Sequence, residues 1–259
     1  MASTHPGAPA ARDAAYFDQW YADMAASPAR DAVIARALGL PPEVHTTGVL
    51  AWAGVTEVIE ELRLPGGGLL VDVACGRGGY GVEAALRTGT RLVGVDFSAV
   101  ALEQARLNAA RRLPAGRSEF RTGTLLATGL PPAVADGVLC LDAVQFAEPP
   151  LAALREFRRL LAPGGRLALT CWEAVDPADA RVPARIRAVD LRRDLPAAGF
   201  VEVEVVDRPQ WRRAERGLWE EVVAAEPSDA AMRSLHAEAR RSLDTFDGLR
   251  RVLATATAP

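Results

Sequence analysis

The chain has 259 residues, of which 49% are apolar, so it can bury a sizeable core in one or two domains. Its 30 basic residues are all arginines, interspersed with 33 acidic residues for a formal net charge of −3, which excludes the basic stripe that nucleic-acid binding requires. No run approaches the ~20 apolar residues of a membrane span. The three cysteines lack paired spacing, so the sequence predicts a cytoplasmic protein with reduced thiols.

The first segments of the chain are predicted to be helical. Residues 1–12 are rich in alanine, proline and glycine and are expected to form a flexible tail. Beyond them, aromatic residues between positions 17 and 24 share one helical face, and a third helix is predicted over 47–62. We therefore expect residues 13–64 to form a lid of helices.

After residue 65 the pattern changes to short apolar runs that alternate with helical stretches. This alternation is typical of a parallel sheet covered on both faces by helices. A half-polar run at 201–206 and a closing run at 251–256 would add a sixth and a seventh strand. The prediction is an α/β fold, doubly wound around a mostly parallel seven-stranded sheet. The earlier strands are predicted at 69–73, 92–95, 119–121, 138–141 and 167–170, and helices at 79–87, 98–112, 150–161 and 190–198.

The stretch between the last two predicted strands has helical periodicity on both sides of Pro227. We expect residues 209–247 to form a helical insert that caps a pocket. The segment 173–187 lacks periodicity and is predicted to be a surface loop. Since no linker separates a second unit, residues 65–259 are predicted to form one domain.

The loop after the first strand carries the most informative pattern. In an open sheet of this kind, ligands bind beyond the carboxyl ends of the strands. Gly76, Gly78 and Gly81 satisfy GxGxxG, which alone also describes a dinucleotide site. Asp72 precedes them, and a carboxylate there suits a ligand with an ammonium group better than one with a pyrophosphate.

The second strand ends in Asp96 and Phe97, and Asp96 lies 18 positions after Gly78. A carboxylate at this place can accept hydrogen bonds from both hydroxyls of a ribose, and the Phe97 ring can contact an adenine face. The alternatives are a helix N-terminal charge for Asp96 and ordinary packing for Phe97.

Four motifs in this order and spacing resemble the class I S-adenosylmethionine-dependent methyltransferase family. They are VDVACGRGG (71–79), LVGVDFS (92–98), GVLCLDAVQF (137–146) and LAPGGRLALT (161–170). The resemblance spans residues 69–172. The opening aromatic helices and the late helical insert are similar to bacterial small-molecule methyltransferases of specialised metabolism.

The resemblance implies a set of cofactor-binding residues. Asp72 and the loop glycines would hold the methionine end of S-adenosylmethionine, and Asp96 its ribose. Where the family often has Gly-Asp after the third strand, this chain has Gly123-Thr124, so a threonine hydroxyl or the neighbouring backbone would contact the adenine. The full set is Tyr21, Asp72, Ala74, Gly76, Gly78, Asp96, Phe97, Gly123, Thr124, Leu125 and Asp142, with Tyr21 as a lid residue.

The implied reaction is displacement of the sulfonium methyl by an oxygen, nitrogen or carbon nucleophile, with S-adenosylhomocysteine as product. His236 in the insert and Asp142 after the fourth strand are candidate catalytic residues. Each has a structural alternative: surface or packing for His236, and a helix cap or turn for Asp142. His45, at a predicted helix entrance, has the same two readings as His236. Asp142 and Glu148 are spaced for a loop, and no second acid pair or His/Cys cluster accompanies them, so a metal-free site is expected.

Two other functions compete with methyl transfer to a small molecule. A nicotinamide-dependent oxidoreductase would fit GxGxxG, but the chain has no lysine and therefore no Tyr-xxx-Lys pair. A protein of this fold could also bind S-adenosylmethionine without transferring its methyl group, for example in a cyclisation. The aromatic opening helices either pair two copies into a homodimer or cap one pocket.

Overall fold

The structure follows the predicted order of helices and strands. The computed structural model describes residues 14–259, and the tail predicted at 1–12 lies outside the described residues. The helices are α1 Ala14–Ala25, α2 Pro28–Leu38, α3 Trp52–Glu61, α4 Gly79–Thr88, α5 Ala99–Arg112, α6 Pro150–Leu160, α7 Ala184–Arg187, α8 Leu191–Ala197, α9 Pro209–Ala224 and α10 Ala230–Thr245. The strands are β1 Leu69–Val73, β2 Arg91–Asp96, β3 Ser118–Thr122, β4 Ala135–Leu141, β5 Leu161–Ala174, β6 Val201–Asp207 and β7 Leu249–Thr257.

All seven strands form one sheet in the order β3-β2-β1-β4-β5-β7-β6. The first five strands pair in parallel, and β7 runs antiparallel to both β5 and β6. The predicted mostly parallel, doubly wound fold is confirmed. The strand order reverses between β1 and β4, so the crevice beyond their carboxyl ends is the place where such a sheet binds ligands.

Alternate residues of the central strands enter two separate hydrophobic layers, as the two-residue period of a strand requires. Val71 and Val73 of β1 pack with Phe157 of α6 on one face. Leu70 packs with Val82 of α4 on the other face. Because both faces are covered, the strands are buried and hold the loops at their ends on a rigid base.

The prediction of a helix from residue 47 is wrong at its start, because α3 begins only at Trp52. Residues 45–50, here called the lid strap, cross the sheet end without regular secondary structure instead. The Val49 N–H donates to the Asp142 carboxylate at 3.2 Å and the Leu50 N–H to the Tyr80 hydroxyl at 3.1 Å. Side chains of the core thus satisfy the N–H groups of two residues of the strap.

The late insert forms two helices as predicted, and α9 and α10 pack against α2. The Ser27 hydroxyl at the start of α2 donates to Asp229 at the start of α10, at 2.8 Å. The segment predicted as a loop over 173–187 contains the short helix α7, and β5 extends well beyond the predicted 167–170. None of the helices described within residues 14–259 is long and apolar enough to cross a membrane.

Candidate functional site

The glycine loop between β1 and α4 is shaped by residues with positive φ. Gly76 has φ 53° and Gly78 has φ 76°, and a Cβ at Gly76 would collide with the Thr47 hydroxyl of the lid strap. Both positions therefore favour glycine. Ala74 adopts φ 60°, a costly conformation for a residue with a side chain, at a position predicted to contact the cofactor.

Asp72 is buried beneath this loop rather than open to it. Its carboxylate packs against Gly81 in the first turn of α4 and accepts a hydrogen bond from the Gly81 backbone. Burial, reinforced by the charge of Asp96, raises the pKa of Asp72 to about 8. A nearby cation would reverse this effect by favouring the ionised carboxylate.

Asp96 connects the loops that follow β1 and β2. Its Oδ2 accepts from the Gly76 N–H at 2.8 Å, and its Oδ1 accepts from the Ser98 N–H at 3.0 Å. Burial is the main cause that raises the pKa of Asp96, although these backbone donors oppose it. Each carboxylate oxygen has a further lone pair that could accept from a ligand hydroxyl.

Two aromatic residues of α1 lie over this end of the sheet. Phe17 meets the half-exposed ring of Phe97 edge to face, with centroids 5.1 Å apart. Tyr21 is buried, and its hydroxyl lies beside Gly76 and hydrogen-bonds the Thr47 side chain. The structure thus brings Tyr21, Phe97 and the glycine loop together.

The loop after β3 is positioned by backbone contacts. The Gly123 N–H donates to the Asp96 carbonyl at 3.0 Å. The Thr124 hydroxyl accepts from the N–H groups of Leu126 and Ala127, so it stabilises its own turn. Leu125 is half-buried between these residues. Because the Thr124 hydroxyl is engaged within the turn, the groups that remain for the predicted adenine contact are the backbone of this loop and the Leu125 side chain.

Asp142, directly after β4, lies on the other side of the crevice. It is buried and has φ 58°, another costly conformation. Its Oδ1 accepts from the Thr170 hydroxyl at 2.6 Å, and its Oδ2 accepts from Val49 of the lid strap. The strap therefore reaches from the glycine loop to the end of β4.

Arg251 and Glu215 complete a buried cluster around Asp142. Arg251 Nη2 lies 2.6 Å from Asp142 Oδ1, and Arg251 Nε lies 4.0 Å from Glu215 Oε2. The Arg251 guanidinium also lies over the Trp172 ring, 4.0 Å from its centroid. Glu215 accepts from the indole N–H groups of Trp172 and Trp219. Burial raises the pKa of Glu215 to about 7, with Arg251 opposing.

Sequence reasoning missed both Arg251 and Glu215. The available signal was an arginine in the middle of the closing apolar strand, where an ionised side chain needs a buried partner. The partner could not be identified, because Glu215 lies on a helix with many other charged residues.

The two histidines lie apart from this cluster. A ring nitrogen of His236 lies 3.3 Å from the Val223 carbonyl, so His236 joins α10 to α9. His45 Nδ1 lies 3.1 Å from Asp31 of α2, which also binds Arg77 of the glycine loop through two hydrogen bonds of 2.7 and 2.9 Å. A catalytic role for His236 stays a prediction.

Comparison with known proteins agrees with the motifs. Residues 71–169 match a methyltransferase domain family model, which confirms the predicted resemblance. An O-methyltransferase of Pyrenophora dematioidea is 28% identical over 173 residues, or 62% of this chain and 65% of that protein. This chain therefore spans just under two thirds of that relative's length.

Two solved structures share the fold along nearly the whole chain. The [4+2]-cyclase SpnF superposes with a TM-score of 0.70 at 21% identity, covering 98% of this chain and 99% of that one. Phosphoethanolamine N-methyltransferase 2 of Haemonchus contortus, in complex with phosphomonomethylethanolamine and S-adenosylhomocysteine, gives a TM-score of 0.72 at 18% identity, covering 98% and 61%. At these identities the likeness concerns the fold alone.

Proposed function

We propose that this chain, whose residues 71–169 match a methyltransferase domain, transfers the methyl group of S-adenosylmethionine to a nucleophilic atom of a small molecule. The observation that carries the proposal is the hydrogen bond from the Gly76 N–H to the Asp96 carboxylate. It holds a carboxylate suited to a ribose beside a glycine loop, at the point where the strand order of the sheet reverses. The O-methyltransferase relative favours oxygen over nitrogen or carbon as the acceptor.

The residues of the crevice fit this cofactor. The backbone of Ala74, Gly76 and Gly78 would hold the methionine end above Asp72, whose raised pKa would fall beside an ammonium group. Asp96 would accept from the ribose hydroxyls. Phe97 and the loop of Gly123, Thr124 and Leu125 would contact the adenine, with Tyr21 covering the loop. S-adenosylmethionine, when bound, supplies a methyl group already activated on a sulfonium.

The protein's own task is then to exclude water and hold the acceptor in line. Helix α1 and the lid strap cover the glycine loop, and α9 carries Glu215 to the far side of the crevice. Proximity and orientation of this kind can lower a barrier by ~7–11 kcal/mol. We propose acceptors from specialised metabolism because the opening aromatic helices and the late helical insert resemble those of small-molecule methyltransferases of that kind.

Cytoplasmic location and a homodimer belong to the same proposal. The three cysteines are buried and unpaired, as in a protein that works in a reducing compartment. Measuring the mass of the purified chain in solution would test the dimer.

The first test is calorimetric titration with S-adenosylhomocysteine, with NADH as the parallel control. We expect micromolar or tighter binding of the nucleoside thioether and none of NADH. The reverse result would replace the methyltransferase with an oxidoreductase. Incubation with S-adenosylmethionine and candidate acceptors should then release S-adenosylhomocysteine in equal amount to methylated product.

A second candidate function is a cyclisation without methyl transfer. It is favoured by the structural likeness to a [4+2]-cyclase, which extends over 99% of that protein. Product formation without S-adenosylhomocysteine release would establish it in place of methyl transfer.

A further inference from the structure

The guanidinium of Arg251 has one corner without a partner. The side chain is fully buried. Nη1 and Nη2 are both buried without a hydrogen-bond partner, although Nη2 forms an ion pair with Asp142 Oδ1 at 2.6 Å and Nε faces Glu215 at 4.0 Å. Buried donors in native proteins are almost always paired, so an unpaired charged donor indicates a missing acceptor atom. A guanidinium can only donate, and the atom that completes it must offer a lone pair.

The position of Arg251 links this corner to the reaction. Asp142, its ion-pair partner, ends β4 at the sheet's switch point. Gly48 of the lid strap packs against Asp142, and Thr47 beside it packs against Gly76. The lid strap therefore contacts both the glycine loop and the cluster around Arg251. The Trp172 ring, half-buried against the guanidinium, gives this end an aromatic surface.

We propose that Arg251 Nη1 binds the reacting oxygen of the methyl acceptor, and that the acceptor is a hydroxyl compound, phenolic or enolic, which reacts as its oxyanion. This inference rests on the proposed methyl transfer and specifies its substrate class. The cation favours the ionised oxygen, and the Trp172 ring suits a planar acceptor.

Glu215 is the group that receives the proton. It faces Arg251 of β7, Asp142 after β4 and the indoles of Trp172 and Trp219, and it is the carboxylate of the cluster with the raised pKa. The acceptor O–H first gives its proton to Glu215, and the resulting oxyanion then forms its bond to the methyl carbon. The carbon–sulfur bond breaks with its electron pair on sulfur, leaving the neutral thioether. The net charge of cluster and acceptor is unchanged by the proton transfer.

The test uses the full chain saturated with S-adenosylhomocysteine and the coloured probes 4-nitrophenol and 4-nitrocatechol. Absorbance reports directly whether the bound probe is ionised. We expect the ionisation constant of the bound probe to rise at least tenfold over that of the free probe. Arg251→Gln should abolish this shift, and Arg251→Lys should retain part of it. Arg112→Gln, which removes a half-buried arginine paired with the buried Glu83 instead, should leave the shift intact.

The Glu215→Gln variant distinguishes between two roles of Glu215, as proton acceptor or as a purely structural residue. Removing one negative charge should tighten binding of the phenolate several-fold while slowing methylation of the un-ionised acceptor at least tenfold. A merely structural role would weaken both. Glu156→Gln, a buried glutamate paired with Arg159 on α6, is the matched control.

Each outcome decides the proposal. An unshifted probe, or a shift that survives Arg251→Gln, would show that Nη1 does not bind the acceptor oxygen. Failure of both probes to bind would overturn a phenolic acceptor. If Arg251→Gln does not fold, Arg251→Lys and Glu215→Gln carry the same comparison. Failure of the unmodified chain to bind S-adenosylhomocysteine would instead overturn the proposed function itself.

Discussion

The two sides of the crevice hold their polar groups in different ways. On the glycine-loop side, Asp96 is fixed by backbone N–H groups of Gly76 and Ser98. On the β4 side, Asp142 is fixed mainly by side chains, from Thr170 and Arg251 on two other strands. The first side depends on local backbone conformation, and the second depends on the assembled tertiary structure.

This difference has a functional consequence. The glycine-loop side offers backbone groups that no side-chain substitution removes, which suits an invariant cofactor. The β4 side offers exchangeable side chains, which suits an acceptor that varies among enzymes of one fold. The lid strap couples the two sides because Thr47 meets one and Val49 meets the other.

The largest effect is expected where the side-chain cluster is broken. Arg251→Met would leave Asp142 and Glu215 as buried carboxylates without a counter-charge, which should lower the free energy of unfolding by about 3–5 kcal/mol. Urea denaturation measures the loss. Arg216→Met, at a half-exposed arginine paired with the exposed Asp247, should cost under about 1 kcal/mol. Equal losses of stability in the two variants would contradict the assignment of Arg251 as the buried counter-charge of Asp142 and Glu215.

On the glycine-loop side, substitution of Asp96 should reduce ligand affinity more than it reduces the stability of the fold. Asp96→Ala removes the acceptor that we assign to the ribose and frees two backbone N–H groups. Affinity for S-adenosylhomocysteine should fall about 100-fold, or ~2.8 kcal/mol, by calorimetry. Glu119→Ala on exposed β3 is the control. Unchanged affinity in a folded Asp96→Ala protein would remove Asp96 from the cofactor site.

The same contrast explains how much could be predicted from sequence. Asp72, Gly76 and Asp96 lie within 25 consecutive residues (96 − 72 + 1), in a strand-turn-helix pattern with characteristic residue types. Strands β1, β2 and β4 were predictable because buried parallel strands are short apolar runs. Arg251 and Asp142 are 109 positions apart (251 − 142), and only the pairing of β7 with β5 brings them together.

Local patterns also misled in one place. The segment before α3 has helical periodicity, but Val49 and Leu50 donate to side chains of Asp142 and Tyr80. Those partners come from distant parts of the chain, so the tertiary structure overrides the local preference. The strap that joins the two sides of the site was therefore invisible in the sequence.

A smaller effect should appear in the pH dependence of stability. Burial raises the pKa of Glu215 from 4.5 to about 7, so the folded state binds this proton more tightly than the unfolded state. Its contribution is most favourable below pH 4.5 and is lost as pH rises towards 7. Asp72 acts in the same direction, and Glu156, with its lowered pKa, acts oppositely at lower pH. The difference between the unmodified chain and Glu215→Gln isolates Glu215.

We expect that difference to change by on the order of 2 kcal/mol between about pH 5 and pH 8. Urea denaturation at both pH values measures it. A pH-independent difference would mean that the pKa of Glu215 is the same in the folded and unfolded chain, and burial would then not strengthen Glu215 as a base.

The smallest effect concerns the outer contact of the lid. Asp31 of α2 binds Arg77 of the glycine loop and His45 of the lid strap, so it connects the lid to the backbone side of the crevice. Asp31→Asn should loosen this connection and lower the affinity for S-adenosylhomocysteine about fivefold, or ~1 kcal/mol. The ionisation constant of a bound nitrophenol should not change. Asp23→Asn on exposed α1 is the control. A change in the probe's ionisation would show that the strap transmits lid position to Asp142, and the two sides of the crevice would then act as one site.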